Sequence, residues 1–124
     1  MNTAVQICLL AAAGALGTLA RYGVSQGAVA FWGTLFPWGT FIVNISGCFL
    51  FGLVAGWLSN GTIPPYWKVI LLTGFMGGFT TFSAFAFENQ QLLAANRFGA
   101  LTFNLLGQNM LGIAAVTAGL WCSK

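Results

Sequence analysis

Apolar residues in this chain gather into long runs, and the stretches between the runs are short and rich in glycine, proline and asparagine. A hydrocarbon core needs about 20 predominantly apolar residues per crossing helix. Four stretches meet that length, at about 5–24, 39–58, 66–93 and 98–121. Between them, Ser25 to Trp38 carries Gly27, Gly33 and Pro37, with Trp32 and Trp38 suited to a membrane interface. Ser59-Asn60-Gly61-Thr62-Ile63-Pro64-Pro65 and Ala94-Ala95-Asn96-Arg97 read as turns. The pattern predicts an all-α integral membrane protein with four transmembrane helices, residues 1–124 forming a single membrane domain. The first run is read as a helix and not as a secretory signal, because Met1-Asn2-Thr3 lacks a basic leader.

Composition narrows the class further. The chain is 58% hydrophobic and 4% charged, whereas a water-soluble domain carries about a quarter charged residues. The formal charge of +3 comes from Arg21, Lys68, Arg97 and Lys124 against Glu88 alone. Nothing there resembles a polybasic patch, so membrane lipid is an expected partner and nucleic acid is not. Cys8, Cys48 and Cys122 are odd in number, have no metal-ligand spacing and have no histidine to join them. They read as small buried or lipid-facing side chains, and no enzyme is expected.

The polar residues inside the runs carry the functional signal. In the second run Thr40 and Asn44 stand i, i+4 on one helix face. An asparagine in the middle of a span needs a partner, so Asn44 is either interhelical glue or the lining of a polar path. In the fourth run Asn104 and Gln108 repeat the i, i+4 spacing, with Asn109 beside them, which is more amide than packing needs. Gly14, Gly17, Gly52, Gly56, Gly107, Gly112 and Gly119 permit close helix approach. Arg21, beside Tyr22, is either a snorkelling interfacial residue or a specific structural partner.

The third run departs most from a plain span. It is too long for one straight crossing and is interrupted by Gly77-Gly78 and Thr80-Thr81, so a helix break is expected at 77–80. Non-helical backbone at membrane depth is tolerated only where protein or a hydrated cavity satisfies it. The break therefore suggests an ion site or pore, or else a glycine-rich packing surface with threonines bonded back to their own helix. Phe79, Phe82 and Phe85 recur every third residue. Such a stripe either faces lipid or a neighbour, or turns its positive ring edges to an anion, with Thr81 and Ser83 as hydroxyl donors.

Charge gives no preferred orientation. With four crossings, Lys68 and Lys124 fall on one side and Arg21 and Arg97 on the other, two against two. Such balance suits insertion both ways up, and an antiparallel homodimer with a two-fold axis in the membrane plane.

Gly17-Thr18-Leu19-Ala20-Arg21-Tyr22, Gly39-Thr40-Phe41-Ile42-Val43-Asn44 with Gly47, and Gly74-Phe75-Met76-Gly77-Gly78-Phe79-Thr80-Thr81-Phe82-Ser83-Ala84-Phe85 with Glu88 together resemble the Fluc (CrcB) fluoride channels. The resemblance implies a dual-topology antiparallel homodimer with two pores that let fluoride leave the cytoplasm passively and so confer resistance. It implies a plasma-membrane location in a bacterium, the inner membrane where there are two. It also implies that Phe82 and Phe85 from different subunits line each pore, that Asn44 donates to the ion, and that Thr81 and Ser83 belong to the polar lining. Backbone carbonyls of Gly77 and Thr80 from both chains would hold a structural sodium ion, and Arg21 and Glu88 would be structural. Thr40 is a further pore candidate on the face of Asn44. Family members often have tyrosine and serines along the fourth helix, where this chain has Asn104, Gln108 and Gly112. The alternatives are a small four-helix proton-coupled multidrug exporter, with Glu88 as its embedded carboxylate, and a non-transporting membrane subunit.

Overall fold

A computed structural model describes residues 2–124. Between short connections, the described residues form helices only, in the order α1 (Thr3–Trp32), α2 (Trp38–Ser59), a π-helical stretch (Val69–Met76), α3 (Gly77–Phe79), α4 (Phe82–Ala94) and α5 (Phe98–Cys122). Thr3–Trp32, Trp38–Ser59, Val69–Ala94 and Phe98–Cys122 are each long and apolar enough to cross a membrane. The third of these is the broken one, with α4 following the break.

The first helix runs well past the expected 24. Ser25 to Trp32 is helical, because Gly27 alone does not end a helix and no proline intervenes. The true stop is Gly33, at φ 71°, whose N–H closes onto the Val29 carbonyl at 2.8 Å. Arg21 consequently lies within α1, half-buried, and not at the end of the first span. At the other terminus the Asn2 side chain accepts from the Ala4 N–H at 3.0 Å, a standard N-cap.

Two close backbone approaches build the packing. The first joins α1 to the π-helical stretch and α3. A Cβ on Gly17 would stand 3.0 Å from the Phe79 nitrogen, and one on Gly78 would stand 3.1 Å from the Thr18 nitrogen. The second joins α2 to α5, the most extensive helix pair in the fold. A Cβ on Gly119 would meet the Leu53 nitrogen at 2.7 Å, and one on Gly52 would meet the Leu120 nitrogen at 3.1 Å. Lipid tails give no hydrophobic push between helices, so close packing of this kind is what holds spans together.

The third span breaks later than 77–80. Gly77 and Gly78 stay helical, and the extended residues are Thr80 (φ −84°, ψ 159°) and Thr81 (φ −150°, ψ 117°). Gly78 serves the contact with α1 instead of the break. The break also splits the expected phenylalanine stripe. Phe79 is buried and stacks on Phe75 at 5.9 Å, while Phe82 and Phe85 pair on α4 at 5.7 Å.

Replacing Gly119 by valine pushes branched carbons into the α2 backbone. Overpacking costs about 1–3 kcal/mol, so Gly119→Val is expected to lower the unfolding temperature in detergent micelles clearly. Gly23 has nothing within 4 Å of a built Cβ. Gly23→Ala is expected to hold or raise that temperature in the same measurement, since alanine favours a helix by about 1 kcal/mol over glycine.

Candidate functional site: a broken helix held by a ladder of amides

Asn44 on α2 faces the break. Its Oδ1 accepts the Thr81 N–H at 2.8 Å, and its Nδ2 donates to the Thr81 carbonyl at 3.0 Å. An asparagine amide thus treats Thr81 as a strand partner would, meeting the two backbone groups that the break exposes. The second Nδ2 hydrogen goes to Gln108 Oε1 at 2.7 Å. Both amide hydrogens of Asn44 therefore have protein acceptors.

From Gln108 the chain of amides continues. Gln108 Nε2 donates to Asn104 Oδ1 at 2.9 Å, Asn104 Nδ2 to Asn89 Oδ1 at 3.0 Å, and Asn89 Nδ2 to the Phe85 carbonyl at 2.8 Å. Each link donates in the same direction, from Thr81 through α2 and α5 and back to α4. Asn104 is 0% exposed, and Asn89 and Gln108 are buried. The i, i+4 pair on α5 is thereby explained, whereas Asn109 only bonds back to the Leu105 carbonyl of its own helix. Asn89 was not among the residues singled out above. Its signal was an amide in a span, four residues after Phe85 and beside Glu88.

The threonines at the break play different parts. Thr80 Oγ1 bonds back to the Met76 carbonyl at 2.9 Å, and Thr81 Oγ1 caps α4 by accepting the Ala84 N–H at 3.3 Å. Two carbonyls are released at the break. In a continuous helix Thr81 would donate to Gly77 and Ala84 to Thr80, but Thr81 is taken by Asn44 and Ala84 by the Thr81 hydroxyl. Gly77 is exposed at this point.

Two cavities flank the ladder. One, about 270 Å³, is lined by Asn44, Thr80, Thr81, Phe82, Phe85 and Gln108 among others. It brings together most of the residues expected to form a pore. Phe85 is 8% exposed and Phe82 is 78% exposed, so one ring closes the cavity and the other projects from the chain. Ser83 does not line it, but its Oγ lies 3.4 Å from Thr81 Oγ1. The other cavity, about 380 Å³, has Thr40 and Glu88 in its wall, together with Gln91, Leu92, Ala95 and Arg97. Thr40 Oγ1 donates to Glu88 Oε1 at 2.6 Å, while Glu88 Oε2 is buried without a partner among the described residues. Arg21 lines neither cavity.

The cavities lie in file. On α2, Thr40 belongs to one and Asn44 to the other, one helical turn apart; on α4, Phe85 belongs to one and Glu88 and Leu92 to the other, along a single face. What separates them is about one turn of helix, about 5.4 Å.

This is the architecture of a multi-pass membrane protein whose third span is polar and broken. A family model described as CrcB-like protein, Camphor Resistance (CrcB), matches residues 8–120, and the chain belongs to that family. It is 52% identical over 114 residues to the fluoride-specific ion channel FluC of Solidesulfovibrio magneticus, covering 90% of each chain. It is 44% identical to FluC of Maridesulfovibrio salexigens, covering 90% of this chain and 89% of that one, and 42% identical to FluC of a Caulobacter species, covering 96% and 94%. These relatives are bacterial channels and not enzymes.

The ladder predicts a specific energetic coupling. Interhelical side-chain bonds in membranes average only about 0.6 kcal/mol, but an amide left unpaired in a buried site costs about 1–3 kcal/mol. Asn104→Leu and Asn89→Leu are each expected to destabilise by about that larger amount. The double variant is expected to cost less than the two together, with a coupling on the order of 1 kcal/mol. Equilibrium unfolding in mixed micelles measures all three, and strict additivity would show that the two amides do not act as one chain.

Proposed function

We propose that this protein is a fluoride-selective channel that lets fluoride leave the bacterial cytoplasm passively across the plasma membrane, the inner membrane where there are two. The observation that carries the reading is the cavity in which Asn44, Thr81, Phe82, Phe85 and Gln108 meet at the N-terminus of α4. The names of its relatives, at up to 52% identity, support it over a multidrug exporter or a silent subunit. Fluoride is small and strongly hydrated, so a selective path must replace its water with donors while holding it weakly enough for release. A helix N-terminus supplies backbone N–H groups and a positive dipole end. The Thr81 hydroxyl and the nearby Ser83 hydroxyl add donors, and phenylalanine edges add positive quadrupole. Both Nδ2 hydrogens of Asn44 are engaged, so its donation to the ion proceeds by exchange, the ion taking the place of the Gln108 oxygen.

The working unit is an antiparallel homodimer with two pores, Phe82 of one copy meeting Phe85 of the other. Supporting this, Gly77 is exposed with a carbonyl that has lost its helical donor, and Phe82 projects from the chain. Unsatisfied backbone in hydrocarbon costs several kcal/mol, and a second copy laid over the break removes that cost. The freed carbonyls of Gly77 and Thr80 suit a hard cation, so they would hold a structural sodium ion between the copies. Bound there, sodium supplies positive charge that ties the two breaks together. Thr40, Asn104 and Gln108 set the wall of the path through their bonds to Glu88, Asn89 and Asn44.

Fluoride efflux from liposomes holding the purified protein tests the reading, with no proton gradient applied. Phe82→Ile and Phe85→Ile, which remove the positive edge at near-constant volume, are expected each to slow efflux on the order of tenfold, about 1.4 kcal/mol. Wild-type rates in both variants would refute the ring role, and proton-coupled efflux of an organic cation would favour an exporter.

A further inference from the structure

The larger cavity has a cation that the path described above does not use. Arg97 lies in its wall, and Glu88 is the one other ionisable residue there. The position of Arg97 is built, not incidental. Asn96 adopts φ 54°, the left-handed conformation asparagine tolerates. The Asn96 N–H then bonds the Leu93 carbonyl at 3.0 Å and the Arg97 N–H bonds the Leu92 carbonyl at 2.9 Å. This is the paired hydrogen-bond pattern that closes a helix with a Schellman motif, and it fixes the Arg97 backbone at the end of α4. The guanidinium Nη1 donates across the cavity to the Leu35 carbonyl in the loop between α1 and α2. The side chain is thereby held over a cavity whose wall includes Thr40 and Glu88.

We infer that Arg97 is an anion-collecting residue at one mouth of the fluoride path, drawing the ion into the cavity that leads along α4 past Glu88 to Phe85. The inference rests on the channel reading above. Without Arg97 the cavity keeps only the Glu88 carboxyl, which in its ionised form repels fluoride and in its neutral form attracts none by charge. With Arg97 the mouth is one positive charge more favourable to an anion in either case. Low-dielectric walls focus such a charge, and focusing of this kind raises local counter-ion concentration and the rate of ion capture. Capture at low fluoride should depend on Arg97, whereas the saturated rate, set deeper at the rings, should not.

The test uses the full chain in vesicles of phosphatidylcholine alone. Initial fluoride efflux is followed against fluoride concentration, with an inert organic salt setting about 0.01 M or about 0.15 M ionic strength, where the screening length falls from about 30 Å to about 8 Å. Arg97→Gln is expected to raise the half-saturating fluoride concentration about threefold or more at low ionic strength. It should leave the saturated rate within about twofold and flatten the salt dependence. Arg97→Lys, which keeps the charge, should restore most of the capture. Thr34, exposed in the wall of the same cavity, gives an independent pair that leaves Arg97 in place: Thr34→Lys should lower the half-saturating concentration and Thr34→Glu should raise it. That pair decides the matter if Arg97→Gln does not fold. The inference is overturned by an unchanged half-saturation and salt dependence in Arg97→Gln. It is overturned equally if Gln and Lys variants lose saturated rate alike, which would make Arg97 only a clamp on Leu35. A capture defect seen only with anionic lipid present would assign Arg97 to a headgroup and also overturn it. Wild-type protein that passes no fluoride would sink the channel reading itself, and this inference with it, whereas wild-type flux with unchanged variants sinks the inference alone.

Discussion

Thr80 and Thr81 are extended where a membrane offers no water, and the bond pair between Asn44 and Thr81 is what makes that geometry affordable. A side-chain amide has one acceptor and two donors in a plane, and Asn44 spends one of each on a single residue's backbone. That choice has two consequences. The Thr81 N–H no longer reaches Gly77, so a carbonyl is released on the α3 side. The chain can then restart as α4, with Thr81 itself as the N-cap. Remove the asparagine and either the break loses its partner or the helix heals across it; the site depends on the first bond before any other.

The remaining amides make that bond rigid. Asn44 sits on α2, Gln108 and Asn104 on α5, and Asn89 on α4, so the ladder ties three helices together and ends on the carbonyl of Phe85. Amides suit this better than hydroxyls do, because donor and acceptor are fixed on opposite sides of a planar group and a run of them has a direction. Aligned hydrogen bonds polarise one another, and in a buried setting a fully satisfied chain specifies one arrangement where a partly satisfied one would not.

Much of this was legible in the residues, and the parts that were not have identifiable causes. Run length alone gives four spans, and a polar interruption at membrane depth gives the broken third one. The place of the break was less legible, since Gly77-Gly78 carries two kinds of meaning: glycine frees the backbone, and it also permits contact, which is what Gly78 does against α1. The end of α1 was misjudged for the same reason, because Gly27 is tolerated within the helix and only Gly33 has the positive φ that stops it. Periodicity put Phe79 with Phe82 and Phe85, yet a break between them destroys the register on which periodicity depends. For the amides, i, i+4 spacing on α2 and α5 marked a polar face, but which amide meets which is a property of three helices packed together. Asn89 stood out only as an amide within a span, and its partners Asn104 and the Phe85 carbonyl emerge only from that packing.

A helix interrupted in this way ends one dipole and begins another within two residues. The end of α3 presents carbonyls, and Gly77 and Thr80 have lost the N–H groups that would have covered them. The start of α4 presents N–H groups and the Thr81 hydroxyl, with Phe82 and Phe85 close behind. One break therefore places carbonyl oxygens without helical donors beside N–H groups without helical acceptors, in a stretch that contains no charged residue before Glu88. Because Thr40 pairs with Glu88 and Asn44 with Thr81, α2 runs antiparallel to α4 and lines the same face over more than one turn. The donors at the break and the carboxyl beyond it thus fall along one line, and the polarity of that line is set by the backbone before any side chain adds to it.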